Sequence, residues 1–135
     1  MTQIPVNLLA ILVAALIRMI VGSVWFSPLL FVKPWQALTG VTPESMQKGL
    51  AKAIVIDIIL SLIMAFVLFH AVVYAGALSL WAGAAVGLLN WLGFVLATHL
   101  PLWAYENRPF KLITIGVGSN LVSMVLMGAL FGVWH

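Results

Sequence analysis

Four long apolar runs, separated by shorter stretches that carry most of the charge, organise the chain. They cover about Ile4 to Phe26, Ala51 to Val73, Leu80 to Leu100 and Leu112 to Trp134. Each is long enough, as an α-helix rising about 1.5 Å per residue, to cross roughly 30 Å of hydrocarbon. The pattern predicts an all-α integral membrane protein: one domain over residues 1–135, with four transmembrane helices in two hairpins. Pro28 is expected to end or kink the first span and Pro101 to end the third, because proline lacks an amide hydrogen and disfavours the helical conformation in the residue before it. Tyr74-Ala75-Gly76-Ala77-Leu78-Ser79 holds no charge and predicts a tight turn. The connections at 27–50 and 101–111 are longer. Within the first, Thr42-Pro43-Glu44 reads as a helix start: a hydroxyl cap, proline at the first helical position, and an acid near the positive end of the helix dipole.

Composition sharpens the membrane assignment. A chain with 64% hydrophobic and 7% charged residues and a mean hydropathy of +1.21 cannot hide its apolar surface in one water-soluble core. A net charge of +3 would suggest nucleic acid in a soluble protein, but here the bases report orientation and no nucleic-acid partner is expected. Lys33, Lys48, Lys52, Arg108 and Lys111 all fall beside the two longer connections. By the positive-inside bias those connections are cytoplasmic and touch anionic lipid head groups, while both termini face outward. The expected location is the cell inner membrane, with the chain multi-pass. No basic residue precedes the first apolar run, so that run reads as a span and not as a cleaved signal. The absence of cysteine excludes disulfides and thiolate chemistry.

Each span also carries one strongly polar residue: Arg18, Asp57, Asn90 and Asn120. Counted back from the cytoplasmic ends, all four lie at roughly 10 to 16 Å, at about 1.5 Å per residue. Exposing Arg or Asp to lipid costs roughly 2.5 to 3.5 kcal/mol on insertion scales, so the four are expected to form one buried layer with Arg18 and Asp57 as an ion pair. Asn7, Ala14, Arg18, Gly22 and Trp25 share one face of the first span. Trp25 is placed to cover the cytoplasmic approach to the layer, and His99 to exchange protons with it; an interface anchor and a helix-terminal cation are the plainer readings of the two. Gly83-x-x-x-Gly87 and Gly128-x-x-x-Gly132 sit at matching depth, as in close helix packing. The glycines of the fourth span are turned about 80 to 120° from Asn120 at about 100° per residue. They therefore face either the third span or another subunit. His70, His99 and His135 lie at different depths and form no metal site, and no nucleophile or acid/base pair marks an enzyme or calls for a cofactor.

The segments Gly22-Ser23-Val24-Trp25-Phe26-Ser27-Pro28-Leu29-Leu30-Phe31, Lys33-Pro34-Trp35 and Gly128-Ala129-Leu130-Phe131-Gly132-Val133-Trp134 resemble the small bacterial membrane family called domain of unknown function 1761. The resemblance runs over nearly the whole chain, and the Gly-x-x-Trp-aromatic-Ser-Pro segment is its most specific part. It implies a four-helix inner-membrane protein and transfers almost nothing about activity. Two functions fit the residues: a transporter or channel-like homo-oligomer for an ion or small solute that uses the polar layer, or a structural or accessory membrane protein in which the layer only fixes packing.

Overall fold

The computed structural model describes residues 5–135, which form helices and turns without a strand. Helix α1 (Leu8–Trp25) is capped by Asn7, whose side chain accepts from the Ala10 amide at 3.1 Å. The expected start at Ile4 lies outside the described residues. Asn7, read from the sequence as part of an inner face, is instead the helix cap, a role that asparagine fills well because its side-chain oxygen satisfies an orphan amide. The helix stops before Pro28, where the Ser27 hydroxyl closes onto the Val24 carbonyl.

The first connection holds two short helices, α2 (Val32–Thr39) and α3 (Pro43–Lys48). Gly40 ends α2 with φ +74°, a left-handed turn that glycine enters without a Cβ penalty. Thr42 and Ser45 then form a reciprocal capping box at the start of α3. Helix α4 (Leu50–Tyr74) follows Gly49. The turn after it passes through Gly76 at φ +67°, and Ser79 caps α5 (Leu80–Asn90). A π-helical turn over Trp91–Leu96 leads into α6 (Ala97–Glu106), and α7 (Phe110–Val133) ends the fold. Among the described residues, four continuous helices are long and apolar enough to cross a membrane: Leu8–Trp25, Leu50–Tyr74, Leu80–Glu106 and Phe110–Val133.

The third of these does not stop at Leu100. Pro101 lies inside α6, which runs to Glu106 and ends at Asn107 in a left-handed conformation, so the last connection shrinks to 107–109. The turns before Pro101 already depart from regular α geometry, with the Ala97 amide bonding to the Leu92 carbonyl. The Thr98 hydroxyl donates to the Phe94 and Val95 carbonyls at 2.7 and 3.0 Å. In apolar surroundings such local adjustments re-satisfy the backbone around a proline and let the helix continue.

Helix α7 is the hub and touches every other span, α5 most extensively. The α5–α7 seam is built on glycine: a Cβ on Gly83 would collide with the Gly128 carbonyl, one on Gly87 with that of Met124, and one on Gly132 with that of Ser79. Of the two partners expected for these glycines, the third span is the one they meet within the chain. We call the end of the bundle with the α4–α5 turn the hairpin end, and the opposite end the loop end. At the hairpin end, Ala10, Ala14, Ala65, Phe69, Val72, Met127 and Phe131 are fully buried, with the Phe69 and Phe131 rings edge to face at 5.4 Å. Toward the loop end this core cluster gives out, although Ile113, Ile115 and Val117 of α7 stay buried. The first half of α4 is exposed on nearly every residue, and α6 buries none.

Candidate functional site

Because α1, α4 and α7 converge only at the hairpin end, they leave an open cleft of about 690 Å³ between them in the other half. Arg18, Gly22 and Ser23 line it from α1, Asp57 and Leu60 from α4, and Gly116, Ser119, Asn120 and Ser123 from α7. Two glycines keep it wide: nothing lies within 4 Å of a Cβ built on Gly22 or Gly116.

At its floor Arg18 Nη1 donates to Asp57 Oδ1 and to Ser61 Oγ, both at 2.7 Å. Asp57 and Ser61 are four residues apart and so project from one face of α4. Ser61 is wholly buried, whereas the side chains are 19% exposed at Arg18 and 47% at Asp57. One nitrogen makes both bonds, and Nε is buried with no hydrogen-bond partner. The pair therefore lacks the two-pronged geometry that gives guanidinium–carboxylate contacts their strength. Among the described residues no side chain bonds the second Asp57 oxygen, so the carboxylate keeps acceptor capacity toward the cleft.

Of the four polar residues expected to form one layer, Arg18, Asp57 and Asn120 line this cleft and Asn90 does not. The Asn90 amide donates to the Val86 carbonyl of its own helix at 2.9 Å. Helix rotation separates Asn90 from the other three: the α7 positions that line the cleft and those that pack on α5 lie roughly 140° apart at about 100° per residue. Asn120 also bonds within its helix, to the Gly116 carbonyl at 3.4 Å. Neither candidate gate reaches the cleft. Trp25 donates its indole N–H to the Ile115 carbonyl at 2.8 Å and lays its ring on Gly118, which ties α1 to α7. The His99 ring bonds the Val95 carbonyl one turn back, while Glu106 and Arg108 pair with each other at 2.9 Å. His70 and His135 likewise bond carbonyls of their own segments. No group of three or more His, Asp or Glu stands together as metal ligands among the described residues.

Sequence reasoning passed over three serines, Ser61, Ser119 and Ser123, which are buried among the helices. Their signal was spacing, with Ser61 one turn beyond Asp57 and Ser119 and Ser123 flanking Asn120 on its face. It also passed over Trp91, whose indole donates to the Val117 carbonyl at 2.8 Å, so that indoles from two different spans grip neighbouring carbonyls of α7.

Residues 9–132 match the profile of a family described as a protein of unknown function, DUF1761. The chain belongs to this family. The DUF1761 match reaches from the first turn of α1 to the last turn of α7 and takes in every residue of the cleft. No curated protein and no solved structure matches the chain.

Proposed function

We propose that this DUF1761 protein binds an ion or small solute in the cleft between α1, α4 and α7 and passes it across the membrane, as a transporter or channel-like protein. The observation that carries the reading is the half-exposed Asp57 carboxylate, held by a single nitrogen of Arg18 at the floor of an open cleft inside a helix bundle. Ionisable groups placed within membrane spans tend to line ion, proton or substrate paths. A pair that served packing alone would gain from a two-pronged contact and a closed surround. Three helices wall the cleft incompletely, and the exposed apolar half of α4 is free to pack on a second copy of the chain, so we assign the working form to a homo-oligomer. The Lys-bearing loop end faces the cytoplasm and its anionic lipids, both termini face outward, and the membrane is the cell inner membrane.

Proteoliposomes carrying the purified chain test this. Uptake or flux of a solute from a panel of ions and small polar molecules is expected, and Asp57→Asn is expected to abolish or redirect it without unfolding the protein. A second reading has one observation in its favour: Arg18 bridges Asp57 and Ser61 and so clamps α1 to α4. Absence of flux across the panel, together with loss of stability in Arg18→Ala, would favour that structural role.

A further inference from the structure

The charge on the cleft wall restricts what can enter. Arg18 and Asp57 are the two charged residues that line it, and they cancel. A ligand with net charge bound here would find a neutral pair and keep its own charge uncompensated, which is unfavourable inside a membrane. A ligand carrying both signs meets no such penalty. We infer that the cleft takes a net-neutral zwitterion with a primary ammonium and an oxyanion, an inference that rests on reading the cleft as a binding site.

The atoms on the wall suit the two ends of such a molecule. The second oxygen of Asp57 accepts from the ammonium, which supplies three donors to a carboxylate that has used one oxygen on Arg18. The oxyanion is assigned to the amide of Asn120, with the largely buried hydroxyls of Ser119 and Ser123 beside it on the same cleft wall. Apart from Ser23, whose hydroxyl donates to the Met19 carbonyl of its own helix, the rest of the lining is apolar. Ile54, Ile56 and Leu60 stand at the lip, 44%, 45% and 49% exposed. That lip accommodates an aliphatic group attached to the zwitterion, whether the side chain of a free amino acid or the acyl chains of a lipid with an aminoalkyl phosphate head. A bare metal cation, a lipophilic cation or a plain anion would use only half of the pair.

The test uses the full chain, purified in detergent and stripped of lipid. Retention is measured for four labelled probes: L-leucine, phosphatidylethanolamine, phosphatidylglycerol and tetraphenylphosphonium. Two variants accompany the parent, Asp57→Asn and Gly116→Leu. The second fills the cleft where no atom opposes a Cβ, and an unchanged melting temperature verifies that it folds. Saturable retention of L-leucine or phosphatidylethanolamine, weakened roughly tenfold or more by both variants, is the expected result, since a charge-assisted contact and the space for the ligand are both removed. Which of the two zwitterions is held identifies a free or a lipid-borne source. If phosphatidylglycerol or tetraphenylphosphonium is retained as tightly and lost when the cleft is filled, the zwitterion inference fails while the binding cleft stands. If filling the cleft displaces no probe, both fail together.

Discussion

The two halves of the bundle use the same small residues for opposite ends. At the hairpin end, Gly83, Gly87, Gly128 and Gly132 let the α5 and α7 backbones approach until no Cβ fits between them. At the loop end, Gly22 and Gly116 face empty space and widen a cleft. The aromatic residues divide in the same way. Phe69 and Phe131 fill the closed half as core, whereas Trp25 and Trp91 bolt the parting helices to α7 through single indole hydrogen bonds. A membrane helix gains little from apolar burial against its neighbours, because lipid is equally apolar, so close packing and hydrogen bonds decide where helices meet. Where neither is supplied in quantity, as in the first half of α4, the helices stand apart and polar side chains are left facing the gap.

The largest expected effect sets the two glycine environments against each other. Gly128→Val puts a branched side chain into the Gly83 carbonyl, backbone against backbone, and neither helix can yield without parting the seam. A loss of about 3 kcal/mol or more, or failure to fold, is expected from overpacking. Gly116→Val meets nothing and replaces a poor helix former, so its effect is expected to stay within about 1 kcal/mol. Unfolding of both variants in detergent, followed by circular dichroism, measures the difference. Equal losses would mean that the cleft is closed in the folded protein.

The ion pair comes next. Breaking a buried pair costs several kcal/mol, but Asp57 is 47% exposed, so roughly 2 kcal/mol per single substitution is the appropriate scale. The two losses are expected to be unequal. Asp57→Ala strands a mostly buried guanidinium that retains only Ser61, whereas Arg18→Ala leaves a carboxylate at the cleft surface. The double variant is expected to recover part of the loss in a double-mutant cycle, and simple additivity would show that the pair is not coupled.

Much of this division could be read from the chain, and the part that could not has a physical cause. Hydropathy located the spans, because a run of more than twenty apolar residues has few other uses. Counting from the span ends brought Arg18, Asp57 and Asn120 to one depth, since helical rise is nearly constant. Rotation about the helix axis was less secure. Each span carries a single strongly polar residue among apolar ones, too little to fix which face looks inward, and Asn90 was grouped with a cleft it does not line. Pro101 misled for a related reason: the rule that proline ends a helix assumes water is at hand to tempt the backbone away. Asn7 and Ser61 were legible in principle, one as a preferred cap residue and the other as a hydroxyl one turn from a carboxylate.

Trp25 separates gating from bolting. Trp25→Phe removes the N–H that reaches the Ile115 carbonyl together with the outer indole atoms, Cζ2 and Cη2, that rest on Gly118. About 1 to 2 kcal/mol of stability is expected to go, the net value of one hydrogen bond plus the lost ring contact, with ligand retention in the cleft unchanged. A change in retention or flux at constant stability would return Trp25 to the role of a gate.

The smallest expected effect is at Asn90. Its side chain bonds only the Val86 carbonyl, which stands on the same helix. That carbonyl sits in the regular part of α5, where a backbone donor four residues on also serves it, so losing the side chain strands no acceptor. Asn90→Leu is therefore expected to shift stability by no more than about 0.5 kcal/mol, the scale of a substitution away from any network. Asn120→Leu, by contrast, removes a polar group from the cleft wall and is expected to weaken zwitterion retention at similar stability. Measuring the two together asks whether chemical kind and depth are enough to make an asparagine functional, or whether it must also stand on the open side of α7. If Asn90→Leu alters retention as much as Asn120→Leu, the cleft extends around α7 to the π-helical turn, and the four-residue layer expected from the sequence is restored.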